Sequence, residues 1–456
     1  MKLFTNNDTY KIYQGSMLDL LEVIEPNTID SVVTDPPYEL NFMNKGWDRS
    51  GIAFQKETWE KPFKALKPGG YLLAFGGSRT FHRIAVAIED AGFEIRDVIM
   101  WVYGSGFPKS LDIGKAIDKM FGAEREVIND VTDRRKDGTT YGLGHSGKLT
   151  SNESITDKAK QWQGWGTALK PAYEPVIVAR KPLKGTVAQN VMKYGVGGIN
   201  IDECRVETDD KWDGRKLPNA KNGVTWGGSL NSSSSSSHEL GRFPANFIHD
   251  GSDEVTSKFP STEAGGSLTK EYQDNAPLYG DYGMKPTFDS YGDNGNASRF
   301  FYTAKASKKD RDEGLSIEAK YPSSAEFRPN HMEKALNGED GNPYGRWQPR
   351  KNIHPTVKPC ELMQYLVRLV TPKGGTVLDP FMGSGSTGKA TMFENRERQA
   401  NYKFIGIDLD LDNQYCEIAS ARIDYALNKY VYDELEIREQ DKEKGQLSIF
   451  DFMGDE

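Results

Sequence analysis

Thr376-Val377-Leu378-Asp379-Pro380-Phe381-Met382-Gly383-Ser384-Gly385-Ser386-Thr387 is the stretch that decides the fold. A short apolar strand ends on an acid, a glycine-rich turn follows, and a helical stretch opens after it. Strand, glycine turn and helix in this order form the place where an α/β sheet holds a nucleotide-like ligand. Gly383 and Gly385 let the backbone approach such a ligand closely, with Phe381 and Thr387 flanking them. Asp379 is placed to meet an ammonium group. Asp408 ends the next strand, 23 residues beyond Gly385, and the acid that holds two ribose hydroxyls is expected ~20 residues on.

One rival shares these residues. Gly383-Ser384-Gly385-Ser386-Thr387-Gly388-Lys389 meets the first seven positions of a phosphate-cradling Walker loop, the mark of a nucleoside triphosphatase. That loop next needs Ser or Thr to hold magnesium, and residue 390 is alanine. Asp379 would also repel a triphosphate.

Outward from this stretch the pattern stays α/β. A helix over 360–370 precedes it; a strand at 404–407 and a helix over 413–427 follow. The N-terminal part alternates likewise: strand 28–34, helix 58–66, strand 71–75, helix 81–91, strand 96–103, then a further strand at 172–179. This alternation predicts a parallel α/β sheet built from both chain ends. Between about 184 and 350, Gly, Asn, Ser and Asp dominate and apolar periodicity nearly vanishes, with six serines in a row at 232–237. Residues 104–170 read as similarly loop-like. The predicted division is a catalytic half over 1–182 with an insertion at 104–168, and a second, loop-rich region over 183–350. A cofactor-binding half over 351–430 and an acidic tail over 431–456 complete it.

The first strand stops abruptly at Asp35-Pro36-Pro37-Tyr38, at a carboxyl end where open sheets place ligands. An exocyclic amine on a nucleobase is a poor nucleophile because its lone pair is delocalised into the ring. The Asp35 carboxylate and the Pro36 carbonyl can each accept one N–H and favour a tetrahedral nitrogen. Pro37 stiffens the turn and restricts Pro36. Tyr38 offers a face on which a base taken out of the duplex can stack.

The net charge is −8, of which the 26 C-terminal residues carry nine acids against three bases. The body is therefore nearly neutral, and composition neither excludes nor demands a nucleic acid. No apolar run approaches the ~18 residues of a membrane span, and the N-terminus has no apolar signal core. Cys204, Cys360 and Cys416 are scattered, which supports neither disulfides nor a zinc site and fits the cytoplasm.

With both motifs in hand, the chain resembles the amino-methylating DNA methyltransferases of the permuted β class, in which Asp-Pro-Pro-Tyr precedes Phe-x-Gly-x-Gly. The resemblance covers roughly residues 10–182 and 350–427. It includes Lys351-Asn352-Ile353-His354-Pro355-Thr356-Val357-Lys358-Pro359, similar to the family's cofactor-side segment. Leu169-Lys170-Pro171-Ala172-Tyr173-Glu174-Pro175 resembles phage and mobile-element members. The resemblance implies a seven-stranded Rossmann-like methyltransferase sheet and S-adenosylmethionine as cofactor, without a metal. It makes Asp35, Pro36, Pro37 and Tyr38 the catalytic residues. Asp379, Phe381, Gly383, Gly385, Thr387, Asp408, Thr356 and Lys358 become the cofactor contacts.

It further implies site-specific methylation of double-stranded DNA by base flipping, as in restriction-modification, with residues 183–350 reading the sequence. Homodimers occur among such enzymes. Asp at the first motif position goes mostly with adenine N6 and Ser mostly with cytosine N4, so adenine is expected and N4-cytosine is the alternative. Within 183–350 the densest basic cluster is Lys305, Lys308, Lys309 and Arg311, diluted by Asp310, Asp312 and Glu313. One departure stands out: where relatives carry Gly-Asp near the N-terminus, this chain has Gly15-Ser16, with Asp19 further on.

The tail closes with Gln446-Leu447-Ser448-Ile449-Phe450, which resembles the short peptide that docks bacterial replication proteins on the sliding clamp. A clamp is therefore an expected partner; the alternative is a terminal segment folded back on its own core.

Overall fold

The computed structural model describes residues 1–40, 46–106, 110–130, 148–151, 153–207, 241–262, 295–304, 307–316, 351–409 and 414–428. The clamp-like peptide of the tail, the serine run and Lys305 lie outside the described residues. Strands are β1 (Lys2–Asn6), β2 (Tyr10–Gln14), β3 (Ile29–Thr34), β4 (Leu66–Phe75), β5 (Glu94–Val102), β6 (Val127–Asp130) and β7 (Lys148–Thr150). They continue as β8 (Tyr173–Arg180), β9 (Phe247–His249), β10 (Ser261–Thr262), β11 (Gly295–Asn296), β12 (Tyr302–Thr303), β13 (Thr376–Asp379) and β14 (Lys403–Asp408).

β3 is buried at all six positions, which suits a strand covered on both faces. It lies between β13 and β4 and runs parallel to both. The full sheet has ten strands in the order β1-β2-β14-β13-β3-β4-β8-β5-β9-β12. Alternate side chains feed two cores. Val33, Leu73, Val176 and Val377 point to one face, where Met363 and Leu366 of the helix Cys360–Val370 cover them. Val32, Leu72, Ile177 and Leu378 point to the other, against Trp59, Ile84 and Ile88. The Asp30 carboxylate ties the strands at their start, accepting from Lys67 Nζ at 2.6 Å and from Thr376 N at 2.8 Å.

The sheet is mixed, not parallel as its alternation predicts, because β8 runs antiparallel to both β4 and β5. The reason is geometric. Tyr173 pairs with Val102, so the chain that leaves the carboxyl end of β5 re-enters the sheet beside that same end and must run back. Seven strands, β2 to β5 in sheet order, correspond to the sheet the resemblance implies. β1 adds to one edge and β9 and β12 to the other. Those last two come from within 183–350, so this region contributes to the main sheet itself. Phe247, Phe259 and Phe301 pack together there, with ring centroids 4.7 to 5.9 Å apart.

Residues 110–130 and 153–170 are also more ordered than their polar composition predicts. Asp112 caps the helix Ile113–Met120 and Thr156 caps Asp157–Lys160. The buried Asp118 carboxylate holds them together, accepting from Arg125 Nε at 2.8 Å, Thr156 N at 3.0 Å and Ile155 N at 3.1 Å. A polar hub leaves no trace in apolar periodicity. Among the described residues no helix is long and apolar enough to cross a membrane.

Candidate active site

β13 continues through the helix Ser386–Arg398 to β14 on one side, whereas β3 continues through the helix Lys56–Ala65 to β4 on the other. Where the connections part, a crevice opens at the carboxyl ends of the two strands. A cavity of about 1420 Å³ occupies it, lined by Asp35 to Tyr38 and by Asp379 to Ser384. It exceeds the roughly 300–1,000 Å³ of ordinary ligand pockets, room for a nucleoside-sized ligand beside a second ring.

Asp35 sits just past β3. Its Oδ2 accepts from Lys358 Nζ at 2.5 Å, while its Oδ1 is buried and has no hydrogen-bond partner. Lys358 is 6 % exposed and also meets Glu174 Oε2 at 3.3 Å. Burial works against the lysine's charge, but Asp35 and Glu174 outweigh it and raise its pKa above the usual lysine value. Tyr38 donates its hydroxyl to Glu174 Oε2 at 2.8 Å, and its backbone carbonyl accepts from Thr80 Oγ1 at 2.8 Å. Burial first, then the charges of Asp35 and Glu174, push the Tyr38 phenol well above its ordinary range. The phenol stays neutral.

Asp379 ends β13, 2 % exposed. Its Oδ1 accepts from Thr34 Oγ1 at 2.6 Å and Phe381 N at 3.1 Å, and its Oδ2 from Thr387 Oγ1 at 2.6 Å. Burial pushes this carboxyl up to about 6, against the pull of those three donors. Asp408 Oδ2 accepts from Gly383 N at 2.9 Å, which joins the ends of β13 and β14. Phe381 packs on Trp59, with ring centroids 6.1 Å apart.

The glycines have an additional reason to be glycines. Gly383 and Gly385 both have left-handed backbone, with φ of 53° and 75°. A Cβ on Gly383 would lie 2.8 Å from His354 Nε2, and one on Gly385 would lie 2.8 Å from Ala419 Cβ. So the turn is pressed against protein as well as facing the cavity. His354 is held by Thr356 O at 2.7 Å and lies edge-on to Tyr415. Burial, with Lys358, Arg311 and Arg422 nearby, pushes its imidazole down to about 4 despite the Thr356 carbonyl, so it is neutral at pH 7.

The structure thus brings Asp35, Pro36, Pro37, Tyr38, Asp379, Phe381, Gly383, Thr387, Asp408, Thr356 and Lys358 to one cavity. Gly385 lies behind it, under the helix Tyr415–Leu427. Lys358, expected among the cofactor contacts, has its ammonium on Asp35. Ser16 lines the cavity and caps the turn Met17–Glu22, whereas Asp19 is not among the lining residues. Arg311, part of the densest basic cluster of 183–350, donates to the carbonyls of Asn352 and His354. Lys389, the Walker-type lysine, is fully buried and binds Asp310 Oδ1 at 2.7 Å and Glu313 Oε2 at 3.0 Å. It is spent on structure and unavailable to a phosphate. Glu174 was not singled out from sequence; its signal was its place in the Leu169–Pro175 stretch of the resemblance.

An acceptor turn and a glycine loop on the two strands of one switch point define an α/β fold of the methyltransferase kind. The chain belongs to the DNA methylase family of the N6/N4 type, whose model matches residues 29–421. It is 30% identical over 148 residues to the Type II methyltransferase M.HindIII of Haemophilus influenzae, covering 32% of this chain and 37% of that protein. The DNA adenine methyltransferase YhdJ of Escherichia coli is 34% identical over 95 residues, covering 21% of this chain and 29% of YhdJ. The chain spans about a third of the length of these two relatives. Among solved structures, the cytosine-N4-specific PvuII DNA methyltransferase is 14% identical, aligned over 93% of this chain and 94% of its own, with a TM-score of 0.38.

Proposed function

We propose that this protein is a site-specific DNA methyltransferase acting on the N6 amine of an adenine turned out of the duplex, with S-adenosylmethionine as donor. One observation carries this: Asp35 Oδ1 is a buried acceptor with no partner, in the same cavity as the glycine loop. An orphaned buried acceptor costs about 1–3 kcal/mol, so it is kept for a donor that arrives with the substrate. When bound, the cofactor supplies an activated sulfonium methyl group. The chain's residues bind, orient and accept hydrogen bonds.

Asp379 would take the ammonium of the cofactor's methionine part. Its three donors occupy three of roughly four acceptor positions on a carboxylate, leaving one. Asp408 would take the ribose hydroxyls, beside Gly383. On the other side Asp35 Oδ1 accepts one amine N–H and the Pro36 carbonyl the other, while the neutral Tyr38 ring stacks on the base. Positioning and fixed dipoles supply the catalysis. The order of the two motifs supports the permuted β class. Asp at position 35 and the relative YhdJ support adenine over cytosine N4, and the Type II relative supports a place in restriction-modification.

The test is incubation of unmethylated DNA with labelled S-adenosylmethionine, then mass spectrometry of the nucleosides, with Asp35→Ala alongside. N6-methyladenine that disappears in the variant is expected. N4-methylcytosine would overturn the base, and no methylated base would overturn the proposal.

A further inference from the structure

Two carboxylates face a single ammonium in this site. Lys358 Nζ lies 2.5 Å from Asp35 Oδ2 and 3.3 Å from Glu174 Oε2, so those two oxygens are within about 6 Å of each other. Like charges that close repel, and the ammonium set between them offsets that repulsion. The lysine is itself flanked by the Phe75 ring at 4.9 Å and the Tyr38 ring at 5.2 Å, which restricts where the ammonium can go.

Glu174 ties the remaining parts together. Its Oε2 accepts from Tyr38 at 2.8 Å as well as meeting Lys358, and its Oε1 is 3.5 Å from the Tyr103 hydroxyl. It reaches this point because β8 runs antiparallel and pairs Glu174 with Trp101 near the carboxyl end of β5. A carboxylate free to rotate can present either oxygen. With Oδ2 pinned, Oδ1 alone is left open, and it is the orphaned atom.

We infer that Lys358 and Glu174 are a positioning pair for Asp35: Glu174 holds Lys358, and Lys358 fixes Asp35 with Oδ1 as the single acceptor presented to the base. The inference rests on the proposed amino-methylation and deepens it. A site fixed this way admits a base with an amine opposite Oδ1. A base with a ring carbonyl there, such as guanine O6 or thymine O4, would set two acceptors face to face. Lys358 accordingly acts on the base side of the cavity, and cofactor affinity does not depend on it.

The experiment compares wild type, Glu174→Gln, Lys358→Met and the double variant in steady-state methylation, with cofactor affinity measured by calorimetry. Gln at 174 keeps an acceptor for the Tyr38 hydroxyl and removes the charge, with its amide NH2 turned to the Tyr103 hydroxyl, which can accept. Each single variant is expected to lower kcat about 100-fold, with cofactor Kd held within about twofold. The double variant is expected to be no worse than Lys358→Met, since Glu174 acts through the lysine. Losses that multiply in the double variant overturn the inference, as does a Lys358→Met protein with weakened cofactor binding and unchanged kcat. Should Lys358→Met not fold, Glu174→Gln decides, and an unchanged kcat there overturns it. A wild type that transfers no methyl group overturns the proposed function and this inference together; transfer with multiplying losses overturns the inference alone.

Discussion

With the proposed pairing of Asp379 and the cofactor's ammonium, cofactor binding should depend on pH, and the surroundings of Asp379 set the slope. Burial holds its carboxyl up at about 6, so near neutral pH it is mostly ionised and in mild acid mostly protonated. An ammonium ligand binds the ionised form. About nine-tenths of the protein is competent at pH 7 and about one-tenth at pH 5, so the apparent Kd for S-adenosylmethionine should rise about tenfold between them, ~1.4 kcal/mol. His354, pushed down to about 4, stays neutral across this window and adds no slope. Above it, an α-amino group loses its proton near 7.7–8.0, so affinity should peak at roughly pH 6.5–7.5. Calorimetry at pH 5, 6, 7 and 8, in buffers of different ionisation enthalpy, reads both the affinity and the proton count. At pH 6 binding should release about half a proton from Asp379. Asp379→Asn should weaken binding at pH 7 and flatten the acid limb. A wild-type Kd that is level from pH 5 to pH 7, or a variant that keeps the wild-type slope, would refute the pairing of Asp379 with the ammonium.

Two further predictions concern how the site is supported. Gly385→Ala puts a side chain on left-handed backbone and drives its Cβ to 2.8 Å from Ala419, so it should cost about 2–4 kcal/mol of stability in a urea titration; unchanged stability would mean the turn has another conformation. Arg368 Nη2 meets Glu394 Oε1 at 2.7 Å, joining the helix Cys360–Val370 to the helix Ser386–Arg398. Arg368→Ala leaves the buried Glu394 with only Gln364 Nε2 at 3.4 Å and Arg398 Nε at 3.9 Å and should cost about 3 kcal/mol, whereas Arg368→Met with Glu394→Leu should be near neutral. Equal losses in those two proteins would contradict a charge-pair origin.

Much of the site was legible because its chemistry is local. A strand that stops at Asp35-Pro36-Pro37-Tyr38 and a strand that turns on Gly383 and Gly385 announce themselves within a dozen residues, since turn geometry depends on adjacent backbone. The helix expected over 360–370 occurs as Cys360–Val370, and the strand expected over 28–34 as Ile29–Thr34. The misses had a common cause. β8 reverses because of where a 70-residue excursion returns, and the unit around Asp118 is organised by a buried carboxylate; neither shows in apolar spacing.

The class of chemistry, the two motifs and the strand-to-helix turns that support them can be read in the order of residues, because each is set by neighbours along the chain. The folded sheet alone puts Lys358 on Asp35, 323 positions away, and gives Glu174 the Tyr38 hydroxyl across 136. It also leaves Lys389 consumed by Asp310 and Glu313. Those pairings depend on which strand ends meet at the switch point. A charge is satisfied by whatever lies within a few ångströms, and the folded sheet, not the order of residues, fixes that company.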